Sequence, residues 1–79
     1  MHTPTPGQLY THYKNSDLTY EIIGISIHTE TDEEMVIYKS LYETDTYPYG
    51  TLWARPLSMF TEHVEINGAT IPRFALKKA

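Results

Sequence analysis

The 79-residue sequence lacks cysteine and long apolar runs, and each absence excludes a class of protein. Without cysteine there is no disulfide framework and no thiolate zinc site, which are two common means of stabilising a small domain. No stretch approaches the roughly 18 apolar residues of a membrane-spanning helix, and the first residues do not form a secretory signal. We therefore expect a cytoplasmic protein with no membrane association.

Basic residues are also scarce, since six lysines and arginines stand against ten aspartates and glutamates, for a formal net charge of −4. Non-specific binding to nucleic acid phosphates needs a local cationic patch. The one basic cluster in the sequence, Lys77-Lys78, lies at the end of the chain, where such a pair is ordinarily solvated. The composition therefore argues against a nucleic acid partner.

Motifs of catalysis and cofactor binding are missing as well. The four glycines are isolated, so they form neither a phosphate-binding loop nor a dinucleotide-binding fingerprint. No serine lies in a Gly-x-Ser-x-Gly motif, and there is no cysteine nucleophile. The sequence predicts no catalytic residue, no bound metal and no cofactor, and it leans against an enzyme.

The chain does contain aromatic residues in quantity: seven tyrosines, two phenylalanines and one tryptophan, or 13% of the sequence. A chain this short forms one domain with a thin core, to which each aromatic side chain contributes roughly 150–250 Å² of buried area. The Thr-Pro repeat at residues 3–6 offers no apolar surface. We predict a mobile N-terminal tail over residues 1–6, a single domain over residues 7–74 and a basic tail over residues 75–79.

Alternation of apolar and polar residues predicts a mainly β fold, because successive side chains of a strand point to opposite faces. The longest candidate strand, residues 18–28, is apolar on both faces, with Ile23 and Ile25 opposite Ile22. Such a strand is typical of a small barrel in which it bends at a bulge, here at Gly24. The other predicted segments are strands over residues 8–14, 35–42 and 51–55, a turn over 15–17, an acidic loop over 29–34, and a tyrosine-rich loop over 43–50 that folds back.

Two local signals define the C-terminal half. The dipeptide Asn67-Gly68 predicts a two-residue type I′ hairpin turn that sets Val64 opposite Ile71. Pro56 ends the preceding strand and favours a single helical or 3-10 turn near residues 56–60. A turn of this kind before a last strand is common in SH3-like barrels, so we predict a small SH3-like barrel of about five strands.

Four segments, taken in order, give the chain a family resemblance. They are His12-Tyr13-Lys14, His28-Thr29-Glu30-Thr31, Leu41-Tyr42 and Trp53-x-Arg55-Pro56-x-x-Met59-Phe60. From about Gly7 to Phe74, the chain resembles the bacterial family known as domain of unknown function 1653. The resemblance implies an SH3-like small β barrel and no activity, since none is assigned to the family. The chain departs from the family pattern in its longer, tyrosine-rich loop between Tyr42 and Trp53, and in Ile27, where a basic residue is common.

The candidate binding residues centre on Trp53 and Arg55, which are two apart on a predicted strand and so share a face. Such a pair either locks the end of the strand, with Arg55 bound to one of the acidic residues, or anchors a ligand. Trp53 is expected to be largely buried. We expect a peptide-binding surface where the face of Tyr10 and His12 meets the loop of Tyr47 and Tyr49, with Tyr38 and Tyr42 as further candidates for an aromatic groove. Core packing nevertheless explains most tyrosines in so small a domain.

A second set of candidates, His12, His28 and Glu30, carries imidazole and carboxylate groups that bind divalent metals when strand ends bring them together. Their spacing matches no metal-binding motif, and residues 29–34 fit a solvated hairpin tip better. The sequence therefore favours a non-catalytic binding or adaptor module for a protein or peptide, monomeric or weakly dimeric. The alternative is a small-molecule or metal site with hydrolytic chemistry at His12, His28 and Glu30.

Overall fold

The structure, a computed structural model, describes residues 3–77 and consists mainly of antiparallel β-strands, which confirms the predicted fold class. Its elements are β1 (Leu9–His12), β2 (Asn15–Ile27), β3 (Glu34–Ser40), β4 (Leu52–Pro56), α1 (Leu57–Phe60), β5 (His63–Ile66), β6 (Ala69–Pro72) and β7 (Phe74–Leu76). Strand β2 is central and pairs with β1 on one side and with β3 on the other. The outer strands are β4 beside β3 and β7 beside β1.

The five-stranded sheet curls without closing into a barrel of backbone hydrogen bonds. Within residues 3–77, no strand pairing joins its edge strands β4 and β7. Side chains bring the two edges together instead, because the guanidinium carbon of Arg55 on β4 lies 5.2 Å from the ring centre of Phe74 on β7. The predicted barrel of about five strands is thus a curled five-stranded sheet, and β5 and β6 form a separate two-stranded sheet.

A bulge in β2 decides which isoleucines enter the core. The pairing register of β2 with β3 shifts between Ile22 and Gly24, so the predicted irregularity at Gly24 is confirmed. Ile22 is 1% exposed and Ile25 packs against the core, whereas Ile23 between them is 43% exposed. The predicted grouping of Ile23 with Ile25 on one face is wrong, because the bulge inserts one residue and reverses the alternation beyond it.

Aromatic rings dominate the core, as the composition indicated. Phe60 and Phe74 stack with ring centres 4.3 Å apart, and Tyr10 meets Phe60 edge-on at 5.3 Å. Helix α1 follows Pro56 and carries Phe60 into the core, which confirms the predicted helical turn. No helix within residues 3–77 is long and apolar enough to cross a membrane. The buried core residues are Tyr10, Ile22, Val36, Tyr38, Phe60 and Phe74.

The β5–β6 hairpin has the predicted turn. Asn67 and Gly68 adopt φ angles of 50° and 81°, and a type I′ turn needs positive φ at both positions. Val64 lies opposite Ile71, as expected from that turn. The base of the hairpin is held by the residue that follows β6, since the backbone N–H of Arg73 donates to the carbonyl of Glu62 at 2.9 Å. The two side chains also form an ion pair with an N–O distance of 2.7 Å.

The first turn comes earlier in the chain than predicted. Asn15 already belongs to β2 and pairs with His12, so the reversal lies at Tyr13 and Lys14 rather than over residues 15–17. The backbone N–H of Lys14 donates to the imidazole Nδ1 of His12 at 3.1 Å. A side chain at the end of β1 therefore stabilises the turn, an interaction that alternation patterns do not indicate.

The structured part of the chain reaches further at both ends than expected. Pro4 lies within the tail predicted over residues 1–6, yet its side chain is buried. Strand β7 includes two residues of the tail predicted over residues 75–79, and it pairs with β1. Lys78, the second member of the terminal basic pair, and residues 1, 2 and 79 lie outside the described residues.

Candidate functional site

An open cleft beside the β1–β2 turn contains several of the predicted site residues, and we name it the aromatic cleft. Its volume is about 320 Å³, at the lower end of the range of roughly 300–1,000 Å³ that is usual for ligand sites. The rings that line it are those of Tyr20, Tyr38, Tyr42, Trp53 and Phe74. Its other lining residues are His12, Lys14, Asn15, Leu18 and Arg55. Among the described residues, no aspartate or glutamate lines this cleft.

Strand β4 places Trp53 and Arg55 on the same face, as the alternation predicted. Leu52 and Ala54 are exposed, whereas Trp53 and Arg55 are partly buried and line the cleft. Trp53 is partly buried and packs against the core. Its indole N–H is nevertheless buried and has no hydrogen-bond partner within residues 3–77. An unpaired buried donor costs about 1–3 kcal/mol, so an acceptor that reached it would form a hydrogen bond that the chain itself does not make.

The guanidinium of Arg55 lies over an aromatic ring instead of binding an acidic residue. The ion pairs of the described chain join Lys39 to Glu21 and Arg73 to Glu62. The expected pairing of Arg55 with a carboxylate is therefore not found there. A guanidinium over the face of Phe74 gains a cation–π attraction but keeps its five N–H donors for other acceptors. Arg55 thus gives the cleft a positive charge that no carboxylate of residues 3–77 neutralises.

The imidazole of His12 is oriented by the turn that follows it. Its Nδ1 accepts the hydrogen bond from Lys14, so Nε2 carries the proton of the neutral ring. The ring meets Phe74 edge-on, with centres 5.0 Å apart. Burial lowers the pKa of His12 below its usual value, and repulsion from Arg55, Arg73 and Lys14 lowers the pKa further. His12 is therefore neutral at pH 7 and offers a donor at Nε2.

Two further tyrosines meet in the cleft: Tyr20, which was not among the predicted site residues, and Tyr42, which was a candidate for the aromatic groove. Their hydroxyl oxygens lie 2.5 Å apart and share a hydrogen bond. Burial raises the pKa of Tyr20, and the hydrogen bond to Tyr42 adds to this effect, so its phenol stays protonated at neutral pH. The alternation of β2 already placed Tyr20 on the face of Ile22. The strand predicted over residues 35–42 placed Tyr42 on the face of Tyr38, although β3 ends before Tyr42 in the structure.

The predicted groove tyrosines divide between the core and the rim of the cleft. Tyr10 is 5% exposed and packs on Phe60, so it belongs to the core and not to a surface beside His12. The ring of Tyr47 meets Trp53 edge-on with centres 4.8 Å apart. Tyr49 is 62% exposed. The tyrosine-rich loop therefore folds back as predicted, and it extends the aromatic surface beyond Trp53.

The three residues of the predicted alternative site do not come together. His12 pairs with the first residue of β2, whereas His28 follows the last residue of the same strand. Near His28, the contact is local, since the backbone N–H of Glu30 donates to the Nδ1 of His28 at 3.1 Å. Residues 3–77 contain no group of three side chains able to hold a metal ion. The geometry therefore gives no support to a shared metal or hydrolytic site at His12, His28 and Glu30.

A second cleft shares Phe74 with the first, and we name it the apolar cleft. Its volume is about 370 Å³. The core rings of Tyr10 and Phe60 line it, together with Pro4, Pro72 and Leu76. Its lining within the described chain includes no lysine, arginine or carboxylate, and the ionisable groups there are the imidazole of His63 and the phenol of Tyr10. Apolar contact is therefore what this cleft offers.

These features define a small, mainly β domain with one aromatic and one apolar cleft. The family model described as "Protein of unknown function (DUF1653)" matches residues 8–76, so the chain belongs to this family, and the resemblance seen in the sequence is confirmed. The chain is also similar to the crystal structure of a DUF1653 protein from Bordetella bronchiseptica, with 35% sequence identity and a TM-score of 0.73. That similarity covers 91% of this chain and 85% of the other. No curated protein matches this chain.

Proposed function

We propose that this domain is a non-catalytic binding module of the bacterial cytoplasm, and that it holds a segment of another protein in the aromatic cleft. One observation carries the proposal: within residues 3–77, the Arg55 guanidinium has no carboxylate partner and the buried Trp53 N–H has no acceptor, and both residues line one cleft. Buried polar groups of folded proteins nearly always have partners within the protein or in ordered water. The Trp53 N–H is an exception to this rule, and a bound partner with a carboxylate or carbonyl oxygen supplies the acceptor that it lacks and an anion for Arg55. The relative from Bordetella bronchiseptica supports the bacterial origin.

The residue types around the cleft favour a protein ligand. Tryptophan, tyrosine and arginine are enriched at the residues that dominate protein–protein binding energy, because they combine large rigid contact area with polar tips. The exposed Tyr49 lies in the same loop as Tyr47, whose ring contacts Trp53. The net charge of −4 opposes a nucleic acid ligand.

Strand β4 gives such a ligand a second means of attachment. It is an edge strand and pairs only with β3 among the described elements. The backbone N–H and C=O groups on its outer side are therefore free to pair with an extended segment from another chain. A segment bound in this way runs alongside Trp53 and Arg55, so edge pairing and side-chain recognition support the same site.

Selection from random-peptide libraries tests the proposal. The chain has one tryptophan, so its indole N–H gives a single NMR signal, and selected peptides are expected to shift it. Their affinity for an Arg55→Met variant is expected to fall about tenfold or more, because a hydrogen bond to a charged group is lost. Lys39→Gln removes the same charge outside the cleft lining and is the matched control, with binding like that of the wild type.

The outcomes are separable. Equal affinity for wild type and Arg55→Met, with shifts confined to the backbone of β4, would assign binding to the sheet edge and contradict the cleft. Equal affinity for the wild type and a folded Tyr47→Ala, Tyr49→Ala double variant would remove the loop from the site. Failure to enrich any peptide from the libraries would overturn the proposed function.

A further inference from the structure

The charge of the aromatic cleft suits a ligand group with a single negative charge. Arg55 and Lys14 are its cationic residues, and no carboxylate lines it within the described chain. The nearby Arg73 is already bound to Glu62. Arg55 is thus the one partly buried cation of the cleft that lacks a carboxylate partner. A net charge of −4 on the whole chain repels groups that carry several negative charges.

The donors of the cleft suit a planar acceptor. The fork of N–H groups on a guanidinium matches the two oxygens of a carboxylate. Trp53 lies two residues before Arg55 on the same strand face, and its unpaired indole N–H is a further donor on that face. His12 adds a neutral N–H donor at Nε2. The cleft lining therefore offers a carboxylate one charged donor group at Arg55 and one uncharged donor at His12, and the unpaired N–H of Trp53 lies buried in the same residue set.

The remaining walls of the cleft are apolar. Leu18 and the rings of Tyr38 and Phe74 line it. At about 320 Å³ it is near the lower end of the range for ligand sites and suits a short terminal group rather than a long segment. An aspartate or glutamate side chain brings a carboxylate without an apolar group. The last residue of a protein chain carries its carboxylate and its side chain on the same carbon atom, so both enter one small cleft together.

We propose that the aromatic cleft binds the C-terminal residue of a partner protein, with its free carboxylate at Arg55 and an apolar side chain against Phe74 and Tyr38. This inference rests on the proposed function and names the part of the partner that is recognised. The small cleft then holds the terminal residue. The edge of β4 beside it is long enough to pair with the residues that precede the terminus.

Two blocked amino acids of equal size test the inference on the intact chain. N-acetyl-phenylalanine has a free carboxylate, and N-acetyl-phenylalanine amide lacks it. The acid is expected to shift the Trp53 indole N–H signal. It is also expected to bind at least about tenfold more tightly than the amide, because only the acid makes a charge-assisted hydrogen bond to Arg55. Equal binding of acid and amide would overturn the inference.

Two further probes separate the carboxylate of a chain end from related groups. N-acetyl-aspartate α-amide carries its carboxylate on the side chain and has no apolar group, so it is expected to bind more weakly than the blocked phenylalanine. Phenyl phosphate carries a ring with a phosphate and is also expected to bind more weakly. Tighter binding of either probe than of N-acetyl-phenylalanine would contradict recognition of a chain terminus.

Variants locate the binding site and guard against an unfolded protein. Arg55→Lys keeps the positive charge but loses the planar fork of N–H donors. It is therefore expected to lower the affinity for the acid and to leave the affinity for the amide unchanged. Trp53→Phe keeps an aromatic ring but removes the N–H donor. It is expected to lower the affinity for the acid by a smaller factor than Arg55→Lys does. Lys39→Gln is the control and is expected to bind the acid like wild type. If Lys39→Gln also no longer distinguished the acid from the amide, the preference for the acid would depend on the overall charge of the protein and not on the cleft.

The peptide selections separate failure of this inference from failure of the proposed function. One library displays free carboxyl termini and a second displays internal segments. Enrichment from the first library, with loss of binding on amidation of the selected peptides, is the expected result. Enrichment from the second library alone would overturn recognition of a chain terminus and leave the binding module intact. Enrichment from neither library would overturn both.

Discussion

The two clefts that share the Phe74 ring are similar in size and opposite in chemistry. The apolar cleft measures about 370 Å³ and the aromatic cleft about 320 Å³. Prolines and aliphatic side chains border the first, whereas Arg55, Lys14 and His12 border the second. Volume therefore does not distinguish the two clefts, whereas the unpaired polar groups of the aromatic cleft do.

The difference arises from the elements that build each cleft. The aromatic cleft meets the inner face of β4, where alternation presents Trp53 and Arg55 together. The apolar cleft lies against the hairpin base and β7, where Pro72, Ala75 and Leu76 carry no side-chain donors. The curled sheet brings both sets of residues to the same ring without making them chemically alike. The comparison predicts that variants of the shared ring affect both clefts, and that variants of either border affect only one.

The largest effect is expected from Phe74→Ala. The Phe74 side chain is buried, stacks on Phe60, and also contacts Tyr20, Tyr38 and His12. Truncating such a residue costs about 3–5 kcal/mol, a large share of the stability of a small domain. Chemical denaturation followed by circular dichroism measures the loss. Tyr49→Ala, at an exposed position, serves as the control, and its free energy of unfolding is expected to lie within about 0.5 kcal/mol of wild type. A similarly small loss for Phe74→Ala would contradict the position of Phe74 as a core residue shared by both clefts.

A smaller effect, confined to one cleft, is expected from Gly68→Ala. Gly68 has a φ of 81°, which alanine adopts only with strain, so the hairpin is expected to lose about 1 kcal/mol. The hairpin carries His63 and Pro72 of the apolar cleft. NMR signals of that cleft are expected to shift while the Trp53 indole N–H stays in place. Asn67→Gly retains positive φ and is the control, and a shift of the indole signal in Gly68→Ala would show that the two clefts are coupled.

The smallest effect concerns the protonation of His12. Arg55→Met removes one of the cations that lower the pKa of His12, so that pKa is expected to rise, whereas Lys39→Gln is expected to leave it unchanged. Proton NMR titration of the imidazole measures both. A His12 pKa that does not respond to Arg55→Met would place the two side chains further apart than the structure does.

The lowered pKa of His12 also sets the sign of a stability effect. The unfolded chain takes up the proton at about pH 6.5, before the folded chain does. His12 therefore makes the folded state less stable as pH falls below about 6.5, until the folded chain is protonated too. His12→Gln is expected to lose less stability than wild type between pH 7 and pH 5. A larger loss in the variant would reverse the assigned direction of the shift.

Local signals in the sequence predicted the features that depend on neighbouring residues. Asn67-Gly68 predicted both the hairpin turn and the pairing of Val64 with Ile71, because the turn geometry sets the register. Gly24 indicated the bulge in β2. The exposure of Ile23 was not predicted, because it depends on how many residues the bulge inserts against β3.

The candidate site was predicted in part, since His12 and the folded-back loop of Tyr47 were predicted along with residues of β4. Alternation along β4 placed Trp53 and Arg55 together correctly. The burial of Tyr10 and the missing acidic partner of Arg55 depend on how the sheet curls and brings β7 to β4, which no local pattern records. For the same reason, the separation of His12 from His28 became visible only in the fold.

The most direct test of the binding proposal is an NMR structure of the isotope-labelled domain in complex with a peptide selected from the library of free carboxyl termini. We expect intermolecular contacts between the last peptide residue and Trp53, Tyr38 and Arg55, with preceding residues alongside β4. Contacts confined to His63, Pro72 and Leu76 would instead identify the apolar cleft as the binding site and contradict the assignment made from the unpaired groups of the aromatic cleft.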